Sequence, residues 1–326
     1  MPGKVSPDDL LAHVFGRTGE ADETVIQGPA YGEDAAAIAV PEGTLVVSSD
    51  PISLAASQVG TLGVHVACND VAASGADPRW LTVVLMLPEP DEAVLESITR
   101  DLDEAAADLD ATIVGGHTEY VDALERPLVS LTAMGIGEFV STSGAEPGDR
   151  VLLTKAAAIE GTAILAADFG DELGIASEVL ERAEAYLSEL SVVPDARVLR
   201  EYATAMHDPT EGGIAAGLYE LAHASGVRLE ADREAIPIRA ETRRLCDAAG
   251  VDPLRIFGSG ALLATIPEVD VDAALADLEQ AGLEAAEIGV VREGEPALRI
   301  GDEAIDEPVE DDCYPLWAET DADAEA

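Results

Sequence analysis

The sequence predicts an α/β (α+β) protein of two domains, and three features lead there. Segments with strand-like and helix-like apolar spacing alternate in both halves of the chain. The 326 residues are 48% hydrophobic, enough for two cores, but only 4% aromatic, so those cores must rest on Ala, Val, Leu and Ile. A turn-rich stretch, Thr142-Ser143-Gly144-Ala145-Glu146-Pro147-Gly148-Asp149, interrupts the pattern. It sets the expected division into residues 1–145, residues 146–318 and an acidic tail at 319–326.

Ser6-Pro7-Asp8-Asp9 opens the first element with an N-cap, a first-turn proline and acids that favour the positive helix end. Leu10, Leu11, Val14 and Phe15 share a face of that helix. Strands are expected at 35–40 and 45–49, around the turn Pro41-Glu42-Gly43. A helix from about 60 to 75 groups Val64, Ala67, Cys68 and Val71, and the strand 81–87 follows it. Asp91 starts a helix to 109 that carries Val94, Leu95, Ile98, Leu102 and Leu109. Strands at 112–116 and 128–137 complete the first half. The second half begins with a strand at 151–155, then two or three helices up to about 204 and a helix opening near Thr210. A strand at 227–231, a helix near 240–249, a strand at 261–266, a helix at 270–282 and a final pair of strands end the pattern.

Charge excludes several functions. Asp and Glu number 65 against 18 Lys and Arg, a formal net charge of -47. The apolar content is globular and the acids are spread among periodic segments, which is not a disordered composition. The balance suits a halophilic, salt-rich cytoplasm, where a Debye length of about 3 Å at 1 M screens self-repulsion. No basic stripe exists to meet nucleic-acid phosphates. Cys68, Cys246 and Cys313 form no C-x-x-C pair, so neither a disulfide framework nor structural zinc is expected. No apolar run reaches membrane-span length and no signal-peptide core is visible, so a soluble cytoplasmic protein is expected. There is no Walker A loop, no G-x-S-x-G elbow and no H-E-x-x-H pair.

Chemistry is expected where Gly and Asp break the apolar pattern. Gly32-Glu33-Asp34 precedes a strand, Ser48-Ser49-Asp50 ends one, and Asn69-Asp70 interrupts an Ala- and Val-rich helix. Gly115-Gly116-His117-Thr118-Glu119 directly follows a strand. Asp70 is either a structural carboxylate satisfied by N–H groups or one compensated by a cation. Gly32-Glu33-Asp34 is either a turn or part of the same oxygen cluster. Carboxylates converging from strand ends suit Mg²⁺, and paired glycines let backbone amides approach phosphate. In His207-Asp208-Pro209-Thr210-Glu211-Gly212-Gly213, Asp208 or Thr210 can cap a helix whose amides Gly212 and Gly213 would open to an anion. His207 reads as a hydrogen-bonded structural residue rather than a base.

Taken in order, these segments resemble the AIR synthase-related (PurM-like) superfamily, with the second half closest to its HypE branch. The resemblance spans about residues 28 to 300 and rests on Gly32–Ala36, Ser48–Asp50, Asn69–Pro78, Gly115–Thr118 and His207–Ala216. It implies ATP and Mg²⁺ as cofactors, with Asp34, Asp50 and Asp70 as metal ligands. Asn69, Gly115, Gly116 and Thr118 lie at the nucleotide in this reading, with Gly212 and Gly213 positioning phosphate and Asp208 completing the metal shell. Asp208 and His117 are candidates for a catalytic role. The resemblance also implies a homodimer paired through an N-terminal sheet. The expected activity is ATP-dependent phosphorylation of an oxygen in a small or carbamoyl-type substrate. The alternatives are an ATP-binding accessory protein with a protein partner and a phosphotransferase similar to thiamine-monophosphate kinase.

The chain departs from the branch in three places. Ser259 stands where the branch has a glutamate, and Glu211 stands where it has an arginine. Cys313 lies inside Asp312-Cys313-Tyr314-Pro315 instead of ending a P-R-[IV]-C tail.

Overall fold

The computed structural model describes residues 5–52 and 58–317. They group into two compact units: Asp22–Pro29 with Asp34–Phe139, and the remaining described residues. Helix α1 (Pro7–His13), capped by Ser6, groups with the C-terminal unit, as do residues 30–33. The acidic tail at 319–326 lies outside the described residues.

The N-terminal unit contains β1 (Val25–Gln27), β2 (Ala36–Val40), β3 (Gly43–Ile52), α2 (Val59–Ala73), β4 (Ala76–Leu87), α3 (Glu92–Asp108), β5 (Thr112–Tyr120) and β6 (Leu128–Gly137). Its sheet runs β1-β2-β3-β6-β4-β5, antiparallel except for the β4–β5 pair. Alternation places Leu81, Val83, Leu85 and Leu87 of β4 and Val129, Leu131 and Ala133 of β6 in the core. Helix α2 packs on these strands and under α3. It is apolar nearly all round and buried nearly all round, as a helix without a polar face must be. Helix α3 is amphipathic, and its N-cap Asp91 accepts from the amides of Ala93 and Val94 at 2.9 and 3.2 Å.

Two boundaries differ from expectation for backbone reasons. Strand β4 starts at Ala76, five residues before the expected Leu81, because the ladder to β6 tolerates Pro78 through an irregularity between Pro78 and Trp80. Strand β5 continues to Tyr120, so Gly115–Glu119 is part of an edge strand and not a loop after one. β1 was not anticipated.

The C-terminal unit follows with β7 (Arg150–Thr154), α4 (Ile159–Phe169), α5 (Ser177–Glu184), α6 (Val193–Leu199), β8 (Ala205–His207), α7 (Gly213–Ser225), β9 (Arg228–Ala231), α8 (Ala240–Ala249), β10 (Leu263–Ile266), α9 (Val271–Gln280), β11 (Ala285–Arg292), β12 (Ala297–Ile300) and β13 (Glu303–Ile305). Its sheet runs β13-β12-β9-β11-β7-β10-β8, so the expected final pair of strands is three. β8 and β10 are buried throughout, consistent with their mostly apolar residues. Helix α7 packs its Ile214, Leu218 and Leu221 with Leu153, Leu229 and Leu263 of the sheet. Among the described residues no helix is long and apolar enough to cross a membrane.

Candidate functional site

In the N-terminal unit the local geometry follows from strand periodicity. Ser48 and Asp50 are two apart on β3 and therefore share a face, while Ser49 faces the other way and meets Thr132 Oγ1 at 2.8 Å. Asp70 comes from α2, with its neighbour Asn69 fully buried and Asp70 itself 8% exposed. Ser48 joins the two elements: its Oγ lies 3.0 Å from Asp50 Oδ2 and also hydrogen-bonds Asp70 Oδ2. Two carboxylates from separate elements thus converge on one hydroxyl. That hydroxyl has a single proton to donate, so it serves one carboxylate fully at a time. A cation between two such carboxylates would relieve the repulsion of like charges.

Asp34 immediately precedes β2 and is half-buried. Among the described residues no group of three or more His, Cys, Asp or Glu side chains is gathered to hold a metal ion. Asp50 and Asp70 are therefore brought together without a third ligand of those types. That suits Mg²⁺, which keeps waters and substrate phosphates in its shell and needs only one or two carboxylates. The neighbour Glu33 has a structural role in the C-terminal unit, where its carboxylate accepts from Ser141 Oγ at 2.6 Å and the Thr142 amide at 3.2 Å.

Gly115, Gly116, His117 and Thr118 lie on exposed β5, opposite Thr82, Val83, Val84 and Leu85. A Cβ at Gly116 would fall 1.8 Å from the Val83 carbonyl oxygen, and φ there is +152°. Close pairing with β4 therefore accounts for this glycine by itself. His117 Nε2 stands 3.6 Å from Glu119 Oε2 on the surface.

In the C-terminal unit His207 and Asp208 are both buried at the end of β8. His207 Nε2 bonds Glu220 Oε2 at 2.9 Å, the structural role expected of it. Gly212 and Gly213 have φ of +77° and +63°, as the entry to α7 requires. Their amides are engaged internally: Gly212 donates to Asp311 Oδ2 at 2.8 Å and Gly213 to the Thr210 carbonyl at 3.1 Å. The anion at this helix end is the chain's own Asp311, so the expectation of amides open to phosphate is not met here. The glycines are needed for packing, since a Cβ at Gly212 would approach the Val309 carbonyl oxygen to 2.7 Å.

Three further groups escaped sequence reasoning. Ser48 was visible only as part of a motif, although its i, i+2 relation to Asp50 gives its role. Glu160 hydrogen-bonds Ser259, and burial, against that bond, pushes its carboxyl up to about 7, with Asp311 and Glu211 adding repulsion. Lys155 is partly buried, donates to the carbonyls of Ser191 and Gly260 at 2.7 Å each, and pairs with Asp195 at 3.1 Å. Burial lowers the Lys155 pKa against the attraction of Asp195. No sequence signal links Glu160 or Lys155 to its partners, because those partners come from remote segments.

Cys313 is fully buried, and burial followed by the nearby Asp311 raises its thiol pKa. Cys68 and Cys246 are also buried, each thiol pushed up to about 12 chiefly by desolvation. None has the exposure or the lowered pKa of a reactive thiol.

The fold and the paired carboxylates place the molecule in a defined class. The AIR synthase related protein N-terminal domain matches residues 32–137, and the corresponding C-terminal domain matches residues 146–301. The chain belongs to the AIR synthase-related family. Within it, the chain is 35% identical over 280 residues to carbamoyl dehydratase HypE of Cupriavidus necator, covering 80% of this chain and 77% of that protein. In structure it is similar to AaThiL complexed with AMPPCP and TMP, with TM-score 0.75, 23% identity, and 94% and 98% of the two chains covered. Hydrogenase maturation protein HypE in complex with ATP aligns with TM-score 0.66 and 24% identity over 94% of this chain and 96% of that one. The chain is thus a HypE-like member of the family.

Proposed function

We propose that this protein is a Mg²⁺–ATP-dependent enzyme that phosphorylates an oxygen of a small or carbamoyl-type substrate. The observation that carries this reading is the convergence of Asp50 and Asp70 on the Ser48 hydroxyl. Asp50 and Asp70 hold Mg²⁺, and Asp34 borders the same sheet as a further oxygen donor. Mg²⁺ supplies charge neutralisation for the phosphates undergoing transfer. The protein's part is to fix the carboxylates on a strand and a buried helix, so that little reorganisation accompanies binding. Asn69, Gly115, Gly116 and Thr118 belong to the nucleotide's surroundings in this reading. The relative named carbamoyl dehydratase HypE supports the carbamoyl type of substrate, and the HypE structure in complex with ATP supports the nucleotide.

Cys313 favours a substrate that is a separate molecule, because a fully buried thiol inside a packed segment cannot serve as an acceptor. The same observation supports a second reading, an ATP-binding accessory protein without turnover. The exposed edge strand β5 supports pairing of two copies through the N-terminal sheet.

Calorimetric titration of ATP at high salt, with and without Mg²⁺, tests the site, and phosphate release in a screen of carbamoyl and carboxylate compounds tests the enzyme. Mg²⁺-dependent binding with substrate-stimulated turnover is expected. Binding without turnover selects the accessory reading, and absence of Mg²⁺-dependent binding sinks both.

A further inference from the structure

We propose that residues 309–317 form a proton-linked latch on the N-terminal end of α7, closed while Glu160 holds a proton and loosened when Glu160 ionises beside Asp311. The segment is seated by contacts of three kinds. Asp311, 3% exposed, accepts from the Gly212 amide at 2.8 Å and from the Cys313 amide at 2.9 Å. Asp312 donates its amide to the Arg255 carbonyl at 3.0 Å, and its carboxylate accepts from the Asp252 amide at 3.1 Å. Trp317 packs against Phe169 and Phe257 with ring centres 5.9 and 6.0 Å away, and its Nε1 donates to Asp168 at 2.9 Å.

The Asp311 carboxylate is well placed at a helix N-terminus, where amides and dipole favour an anion. Its other neighbours oppose it. Glu160, at the start of α4, and Glu211, in the turn before α7, both act on Asp311 or are acted on by it. The other groups facing the cluster are the Ser259 hydroxyl, the Cys313 thiol and the Tyr314 hydroxyl, the last beside Glu211. Asp312, Asp252 and Arg255 form the next contacts along the segment, and Arg255 is already paired with Glu303 at 2.7 Å. Glu160 and Asp311 in one partly buried locus cannot both ionise without strong repulsion, so one proton is retained.

Burial is the first cause in both cases, pushing Glu160 up to about 7 and Asp311 to about 6. The proton therefore rests on Glu160 near pH 6.5, leaving Asp311 free to hold the Gly212 amide. Above pH 7 Glu160 ionises beside Asp311. The repulsion then acts on a short segment held by two backbone links and an aromatic seat.

Trp317 reports on this directly once the other tryptophan, Trp80, is replaced by phenylalanine in the full chain. Emission of Trp317 is titrated from pH 5.5 to 8.5 in molar KCl. A red shift with a midpoint near pH 7 is expected, matching the value of Glu160. Glu160→Gln, which mimics the protonated acid, should abolish the shift and keep the acid-form spectrum at pH 8.5. Glu211→Gln should move the midpoint to lower pH. An unchanged spectrum across the range, or the same midpoint in Glu160→Gln, overturns the latch. Hydrogen exchange of the 311–317 amides in the unmodified protein does not depend on any variant folding. Protection, corrected for intrinsic rates, should fall between pH 6 and pH 8, and equal protection at both overturns it.

Discussion

The two carboxylate groupings, Asp50 with Asp70 in the N-terminal unit and Glu160 with Glu211 and Asp311 in the C-terminal unit, are made from the same chemistry and serve opposite ends. In the first, a strand and a buried helix bring two acids to one hydroxyl, an arrangement that a divalent cation completes. In the second, one acid already occupies a helix amide and the others crowd it. Such a site excludes a further anion and stores a proton. In a chain of net charge -47 a cluster of acids therefore has no fixed meaning. What decides is the donor at its centre: a neutral hydroxyl shared by two carboxylates, or a backbone amide claimed by one.

The largest effect bears on the scaffold of the second region. Lys155→Met leaves Asp195 buried without its cation and frees the Gly260 carbonyl beside Ser259. Removing one partner of a buried pair costs about 3–5 kcal/mol, read as a lower midpoint in denaturant. A loss within error would mean that the pair does not hold the Glu160–Ser259 region.

Next, Asp70→Asn should weaken Mg²⁺–ATP binding about 100-fold, roughly 2.7 kcal/mol, while leaving Trp317 emission unchanged. Undiminished affinity by calorimetry would remove the metal role from the first region. Ser48→Ala takes away one hydrogen bond, worth about 0.5–1.5 kcal/mol, and should cost Mg²⁺–ATP affinity accordingly without abolishing it. If Ser48→Ala proved as damaging as Asp70→Asn, the hydroxyl would itself have to be a ligand.

The smallest effect is on pH dependence. Glu160 and Asp311 bind protons more tightly in the folded chain than in the unfolded one, their pKa values rising to about 7 and about 6. The stability they permit is therefore full below their unfolded values and is lost as pH rises through about 6 and then about 7. Thermal scans at high salt should show Tm falling by roughly 2–4 °C from pH 5.5 to 8. Glu160→Gln should flatten that slope, whereas Asp50→Asn should not.

The first region was largely legible in the chain. Apolar spacing located β2, β3, α2, α3 and β6 within a few residues, with Asp50 marked by its place at a strand end and Asp70 by its apolar helix. Ser48 needed only the period of two. The second region was not legible, because Glu160, Glu211 and Asp311 lie on three segments that no local pattern relates. In the sequence, Gly212 and Gly213 suggest a cradle for an external anion. The structure shows instead that they admit the chain's own segment against α7. Gly116, likewise, answers to the Val83 carbonyl of the adjacent strand.

By itself the sequence determined the alternation of helices and strands, the acidic surface and the short motifs that place two carboxylates at the end of a strand and inside a helix. These depend on periodicity and on the cost of burying charge, which act over a few residues. Only the tertiary structure decided which hydroxyl joins those carboxylates, which acid fills the α7 amide and where a proton is retained. Such pairings are set by the approach of remote segments, and the low dielectric of the packed interior then fixes how each charge behaves.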